Sequence, residues 1–133
     1  MRLSIFFIIS AILSFVFGAM MFVIPSIAAQ SLGIGFTPGT GSLLQGMGGL
    51  IIGFGTISFL SRNFTDPAIV RAVLITSVIT NALGLLVDIL GVINGTLLLT
   101  KMAPVEITHI FIGGGSLIYL WRSRVSADAE MNK

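Results

Sequence analysis

Residues 67–95 read PAIVRAVLITSVITNALGLLVDILGVING, and this stretch decides the fold class. Its polar and small residues Ser77, Asn81, Gly84, Asp88, Gly91 and Gly95 follow one another in steps of four, three, four, three and four. That spacing puts all six on one face of an α-helix whose other faces are mostly Leu, Ile and Val. A helix apolar around most of its girth, with one polar stripe, reads as a membrane span that turns the stripe toward protein. A start signal precedes it. Thr65 or Asp66 suits the N-cap, and Pro67 suits the first helical position, where its missing N–H is not needed.

The rest of the chain shares that solvent. Of its 133 residues, 55% are hydrophobic and only 9% charged, and the mean hydropathy is +1.07. Those values exclude a soluble domain that must cover itself in polar surface. Four apolar segments stand out: Leu3 to Ile24, Leu43 to Leu60, Ile69 to Ile93 and Val105 to Trp121. Each approaches the ~20 residues needed to cross a hydrocarbon core, the second and fourth only just. The expected fold is an all-α, integral membrane four-helix bundle. It forms a single domain over residues 1–133, with helices near 3–24, 43–60, 67–93 and 104–121 and a polar tail at 122–133.

Arg2 ahead of an apolar run, with Ser26-Ile27-Ala28 behind it, mimics a secretory signal. The 22-residue run from Leu3 to Ile24 is longer than a signal's apolar core, so it reads as a retained first helix. Pro25 ends that helix, and the Gly, Thr and Ser stretch from Ser31 to Ser42 reads as the one long loop. Arg62 to Pro67 is a short antiparallel turn, and Pro104 is expected just inside the start of the last helix.

The formal net charge of +2 comes from seven basic residues spread over ends and loops. They form no basic patch with interleaved aromatics, so nucleic acid is not an expected partner, whereas membrane lipids are. With the N-terminus cytoplasmic, Arg2, Arg62, Arg71, Arg122, Arg124 and Lys133 fall on the inner side and only Lys101 outside. That asymmetry places both termini in the cytoplasm and Trp121 and Tyr119 in an interfacial belt. The chain has no cysteine, hence no disulfide or thiolate chemistry.

Every helix carries a stripe of small residues. Ser10, Ser14 and Gly18 mark the first; Ser42, Gly46, Gly49, Gly53 and Thr56 mark the second, with Gly49 and Gly53 in GxxxG spacing. Small residues let backbones approach where lipid supplies no hydrophobic drive, so Gly46, Gly49, Gly53, Gly84, Gly91 and Gly113 are expected at helix contacts. Whether the Gly49 stripe serves the bundle or a second copy is open at this point. Gly113-Gly114-Gly115 is expected to permit a kink or close packing.

The last helix brings the chemistry, because Glu106, His109, Gly113 and Ser116 share one face. Counted from the expected helix ends, Asp88 lies five residues inside Ile93, His109 five inside Pro104, Glu106 two inside it and Gln45 three inside Ser42. At about 1.5 Å per residue these depths agree to roughly one turn, with Asn81 about two turns deeper. Gln45, Asn81, Asp88, Glu106 and His109 are therefore the candidate ligand-binding residues, and Asp88, Glu106 and His109 the candidate acid–base groups. A carboxylate at mid-span must be paired, protonated or wetted, and His109 is the expected partner of Asp88.

Glu106-x-x-His109 has the spacing of carboxylate-bridged metal sites, but a dimetal bundle needs two such pairs and this chain has one. A single zinc or iron on Asp88, Glu106 and His109 is a weaker use of the same groups, and no metal or cofactor is assigned. Acid–base work on a lipophilic ligand is chemically reasonable, and so is a purely structural polar network.

Gln45-Gly46-Met47-Gly48-Gly49 with Gly53, the run Asn81-x-x-Gly84-x-x-x-Asp88-x-x-Gly91, and Glu106 in a last helix together resemble the small bacterial four-helix membrane proteins classed as a domain of unknown function and grouped with DoxX-like proteins. The similarity spans nearly the whole chain and implies a four-helix bundle in a bacterial inner membrane. It brings no activity. The family pattern has arginines near the positions of Gln45 and Asn81, and this chain has neither. Two functions are expected from the sequence. The first is a non-enzymatic accessory subunit that forms homo-oligomers or joins a larger membrane complex through its glycine-striped faces. The second is a lipophile-binding or lipophile-converting protein built on Asp88, Glu106 and His109.

Overall fold

The computed structural model describes the backbone of residues 1–131 and the side chains of residues 1–123; the side chain of Arg124 and all of Lys133, used in the charge count, lie outside the described residues. Helix α1 (Leu3–Val23) is followed by a short α2 (Pro25–Leu32), then α3 (Pro38–Ser61) and α4 (Pro67–Ile93). The last span joins α5 (Leu99–His109), a π-helical turn (Ile110–Gly114) and α6 (Gly115–Met131). Four stretches are long and apolar enough to cross a membrane: Leu3–Val23, Pro38–Ser61, Pro67–Ile93 and Leu99–Ser123. The fold is an all-α bundle of the multi-pass membrane kind, and its outer faces are apolar, with Leu50 77% and Val87 64% exposed.

Local chemistry explains most boundaries. Asp66 accepts from Ala68 N and Pro67 opens α4. Thr37 and Thr40 form a reciprocal capping box around Pro38, so α3 begins earlier than the expected Leu43 and the long loop shrinks to residues 33–37. Part of that stretch is α2, whose Ala28, Ala29 and Leu32 are buried with Met21, Leu44 and Met102. Burial of this small apolar face, with Gly33 in the left-handed region at φ 73° as its C-cap, favours helix where the composition reads as loop.

The last span also starts earlier than expected. Pro104 lies inside α5, five residues after its first residue Leu99. Burial of Met102 against the α2 cluster gives the added turn its tertiary contact, at the cost of the one backbone hydrogen bond that proline cannot donate. At the far end α6 continues past Trp121. Gly95 at φ 70° turns the chain between α4 and α5, and Gly91 O accepts from both Thr96 N and Leu97 N.

The helices pair antiparallel. On α1, Gly18 meets Gly48 of α3, and Ser14 meets Gly55. The α3 face that packs in the protomer is therefore Gly41, Leu44, Gly48, Gly55 and Ser58, all buried. Gly46, Gly49 and Gly53, expected at helix contacts, are exposed on the neighbouring face; a Cβ at Gly46 or Gly53 would meet nothing within 4 Å, and one at Gly49 only the Phe22 ring. The contacts on α1 distinguish the two stripes: Gly48 lies on Gly18 and Phe22, and Gly55 on Ser14 and Ala11. Phe6 ties this pair to the last span, lying against Gly115 with Phe7, Phe111 and Tyr119 around its ring. Arg2, Arg62, Arg71 and Arg122 stand at one end of the bundle, and Lys101 packs on Gly33 at the other.

These two α3 faces should respond differently to bulk. A Cβ at Gly48 would sit 2.7 Å from both Gly18 O and Phe22 N. Gly48→Leu is expected to lose at least about 1–3 kcal/mol in reversible denaturation in detergent, the usual cost of overpacking, while Gly53→Leu leaves protomer stability unchanged. Equal loss in both would contradict the assignment of faces.

Candidate functional site

A polar network joins α4 to α5 inside the apolar bundle. Asn81 is buried, and its Nδ2 donates to Ser77 O, one turn back on α4, at 2.8 Å. With the amide nitrogen so engaged, Oδ1 faces His109 Nδ1 at 3.0 Å. An amide oxygen only accepts, so this hydrogen-bond pattern assigns the proton to Nδ1 and turns Nε2 toward Asp88. His109 Nε2 and Asp88 Oδ2 stand 3.6 Å apart, the range of an ion pair and longer than a direct hydrogen bond. From one turn earlier on α5, the Glu106 carboxyl comes close enough to the Asp88 carboxyl for the two to interact electrostatically. Glu106 Oε2 is buried, and no donor reaches it among the described residues.

Two glycines make room for this assembly. A Cβ on Gly84 would lie 2.6 Å from His109 Cε1, so the imidazole rests on bare α4 backbone. A Cβ on Gly113 would lie 2.9 Å from Asn81 Cβ, so the π-helical turn closes on Asn81 from the other side. Gly91 plays the same part higher up, where the Leu97 side chain occupies the space a Cβ would take. Gly84, Gly91 and Gly113 thus lie at contacts, unlike Gly46 and Gly53.

The structure brings together Asn81, Asp88, Glu106 and His109. Asn81, expected two turns deeper, touches His109 directly because α5 starts at Leu99 and its side chains stand further along the span than a start at Pro104 implies. Gln45 stands apart from the network: its side chain donates to Phe22 O at 3.2 Å across the α3–α1 contact. Gln45 caps a carbonyl on another helix pair, and equal depth did not bring it round the bundle. Among the described residues no three His, Asp or Glu side chains gather as a metal-ligating set.

Beside the network lies a cavity of about 260 Å³, lined by Leu85, Ile89, Val92, Ile93, Leu99 and Glu106. It is an apolar recess between α4 and α5 with one carboxyl on its wall. Such a site can hold an apolar body while offering acceptors, and a titrating pair, to whatever polar group the body carries. No protein-family model, curated protein or solved structure matches this chain.

Asn81 should fix the histidine tautomer. In Asn81→Ala the imidazole loses its acceptor, and nitrogen NMR of labelled His109 should show the Nδ1–H preference collapse into a mixture. The accompanying stability loss should be about 0.6 kcal/mol and no more than ~1.7 kcal/mol, the range for interhelical polar contacts in membranes. Unaltered nitrogen signals would show that Asn81 does not orient the ring.

Proposed function

We propose that the protein binds a lipophile with a hydrogen-bonding head in the recess between α4 and α5, and that Asp88, Glu106 and His109 exchange protons with that head. The observation that carries the reading is Glu106, which lines an apolar cavity and whose Oε2 is a buried acceptor with no donor among the described residues. A buried acceptor left unmet is costly, and a turn of the Glu106 carboxyl toward the recess would let a ligand hydroxyl or N–H meet it.

Proton bookkeeping supports the same reading. Asp88, Glu106 and His109 Nε2 are three proton sites, and a low-dielectric span favours a net-neutral cluster. Two protons among the three achieve that in either of two ways. His109 is imidazolium beside an Asp88 carboxylate, or imidazole beside a protonated Asp88, with Glu106 kept as the neutral acid in both. Moving a proton between Nε2 and Asp88 therefore changes no net charge, which suits a site that lends and recovers a proton from a bound head group.

Native mass spectrometry of protein extracted gently from its own membrane tests this. The wild type is expected to carry a defined lipophile that Asp88→Asn and His109→Ala lose while their assembly stays intact. Equal retention in both variants, or a ligand-free wild type, would overturn the reading.

A second reading rests on a separate observation, the exposed α3 face of Ser42, Gly46, Gly49, Gly53 and Thr56. Bare backbone on an outward helix face suits close approach by another span, so the protein also serves as a homo-oligomer or as an accessory subunit of a larger membrane complex. Gly53→Leu should then convert the assembled form to a monomer in mild detergent, whereas a wild type that is already monomeric would exclude this role.

The membrane proposed is a bacterial inner membrane, the setting implied by the resemblance to DoxX-like proteins, with both termini cytoplasmic. Arg2, Arg62, Arg71 and Arg122 against Lys101 support that orientation. Because the chain has no cysteine, single-cysteine labelling reads it cleanly. Gly35→Cys should react with an impermeant maleimide in intact spheroplasts and Asn63→Cys only after permeabilisation; the reverse pattern would invert the topology.

A further inference from the structure

At the arginine-bearing end, away from the carboxyl network, the starts of α1 and α4 and the body of α6 enclose a second cavity of about 280 Å³. Leu3, Val70 and Leu74 form apolar walls, and Arg71, Tyr119 and Arg122 bring polar groups to it. We infer that this cavity binds one anionic phospholipid, its phosphate between the Arg71 and Arg122 guanidiniums and the upper part of an acyl chain along Leu3, Val70 and Leu74.

The chemistry is that of a phosphate ester with an apolar body. Guanidinium groups recognise phosphate oxygens in a fork, and here they come from two different helices, α4 and α6, that border one cavity. The cavity floor is rigid. Tyr119 donates to Met1 O at 2.6 Å and its ring stands 5.2 Å from that of Phe6, while Phe6, Phe7 and Leu74 form a buried cluster beneath. The nearby carboxylate of Asp66 accepts from Ala68 N at the start of α4. Among the described residues that line the cavity, Arg71 and Arg122 carry the charges. A free phosphate ion would satisfy the guanidiniums but leave three apolar walls uncovered, and a lipid covers both.

Arg62 provides the contrast. It belongs to the same end of the bundle, but its guanidinium lies 3.5 Å over the Phe59 ring and donates to Phe59 O. It is held by its own helix and lines neither of the two cavities described above. A general attraction of basic residues to headgroups would make Arg62 and Arg71 equivalent; a built site distinguishes them.

The test uses the full chain, delipidated in mild detergent and titrated with phosphatidylglycerol or phosphatidylcholine of equal chain length, with bound lipid counted by native mass spectrometry. One phosphatidylglycerol is expected to be retained in preference to phosphatidylcholine. Arg71→Gln should weaken that retention by roughly fivefold, the effect of one basic residue near an anionic surface, with Arg122→Gln acting alike and Arg62→Gln having no effect. Arg71 is exposed, so circular dichroism of the variants should match the wild type. Equal retention of both lipids, or equal loss in Arg62→Gln and Arg71→Gln, would overturn the inference. Millimolar inorganic phosphate that displaces the lipid would assign the cavity to a soluble anion and overturn it as well.

Discussion

Polar side chains inside a membrane-spanning bundle must find one another, because no water is there to satisfy them. Much of the α4–α5 half of the structure follows from that requirement. Asn81 binds its own helix with Nδ2 and His109 with Oδ1; His109 in turn faces Asp88, and Asp88 meets Glu106. Each contact fixes the register of the last span against α4 to within a residue, since a slip by one position would turn His109 off the Gly84 backbone and away from both partners. The glycines are then consequences of the network. Gly84 is bare because an imidazole lies on it, and Gly113 is bare because Asn81 does.

The α1–α3 half is held by a different device. Gly18 against Gly48 and Ser14 against Gly55 bring two backbones together without an ion pair, so this contact relies on dispersion. Its only buried polar atoms are serine hydroxyls, of which Ser14 Oγ returns to Ser10 O within its own helix. One half of the molecule is thus a close apolar clamp and the other a polar lock, with Phe6 on Gly115 as the bridge. Chemistry that depends on protons can reside only in the second half.

Much of this was legible in the sequence. The stripe from Ser77 to Gly91 announced a helix with a protein-facing side, although Gly95, read on the same face, lies beyond the helix end at Ile93 and turns the chain; the distribution of basic residues separated the two ends, and the shared face of Glu106 and His109 marked the last span as the partner of Asp88. What could not be read was decided by contacts between distant segments. Pro104 is a good first residue for a helix, and only burial of Met102 against α2 carries the helix back to Leu99; that shift is also what brings Asn81 into contact with His109. Two small-residue stripes lie side by side on α3, and nothing within α3 says which faces α1. Only the packed pair of helices says so, with Gly48 on Gly18 and Gly55 between Ala11 and Ser14. Gln45 shows the limit of depth as a guide, since residues at equal depth can stand on opposite sides of a bundle.

The network's inner end constrains what its protons can do. Beyond His109 the chain of hydrogen bonds runs through an Asn81 amide to the Ser77 carbonyl, and neither group takes up a proton and passes it on at neutral pH. Toward the arginine end, Phe6, Phe7 and Leu74 are buried as an apolar plug, with Phe111 packed against them. Among the described residues no hydrogen bond carries the path from Ser77 across that plug. Such an arrangement suits the local exchange proposed for the neighbouring recess, while the arginine end lies beyond the aromatic cluster, away from the carboxyls.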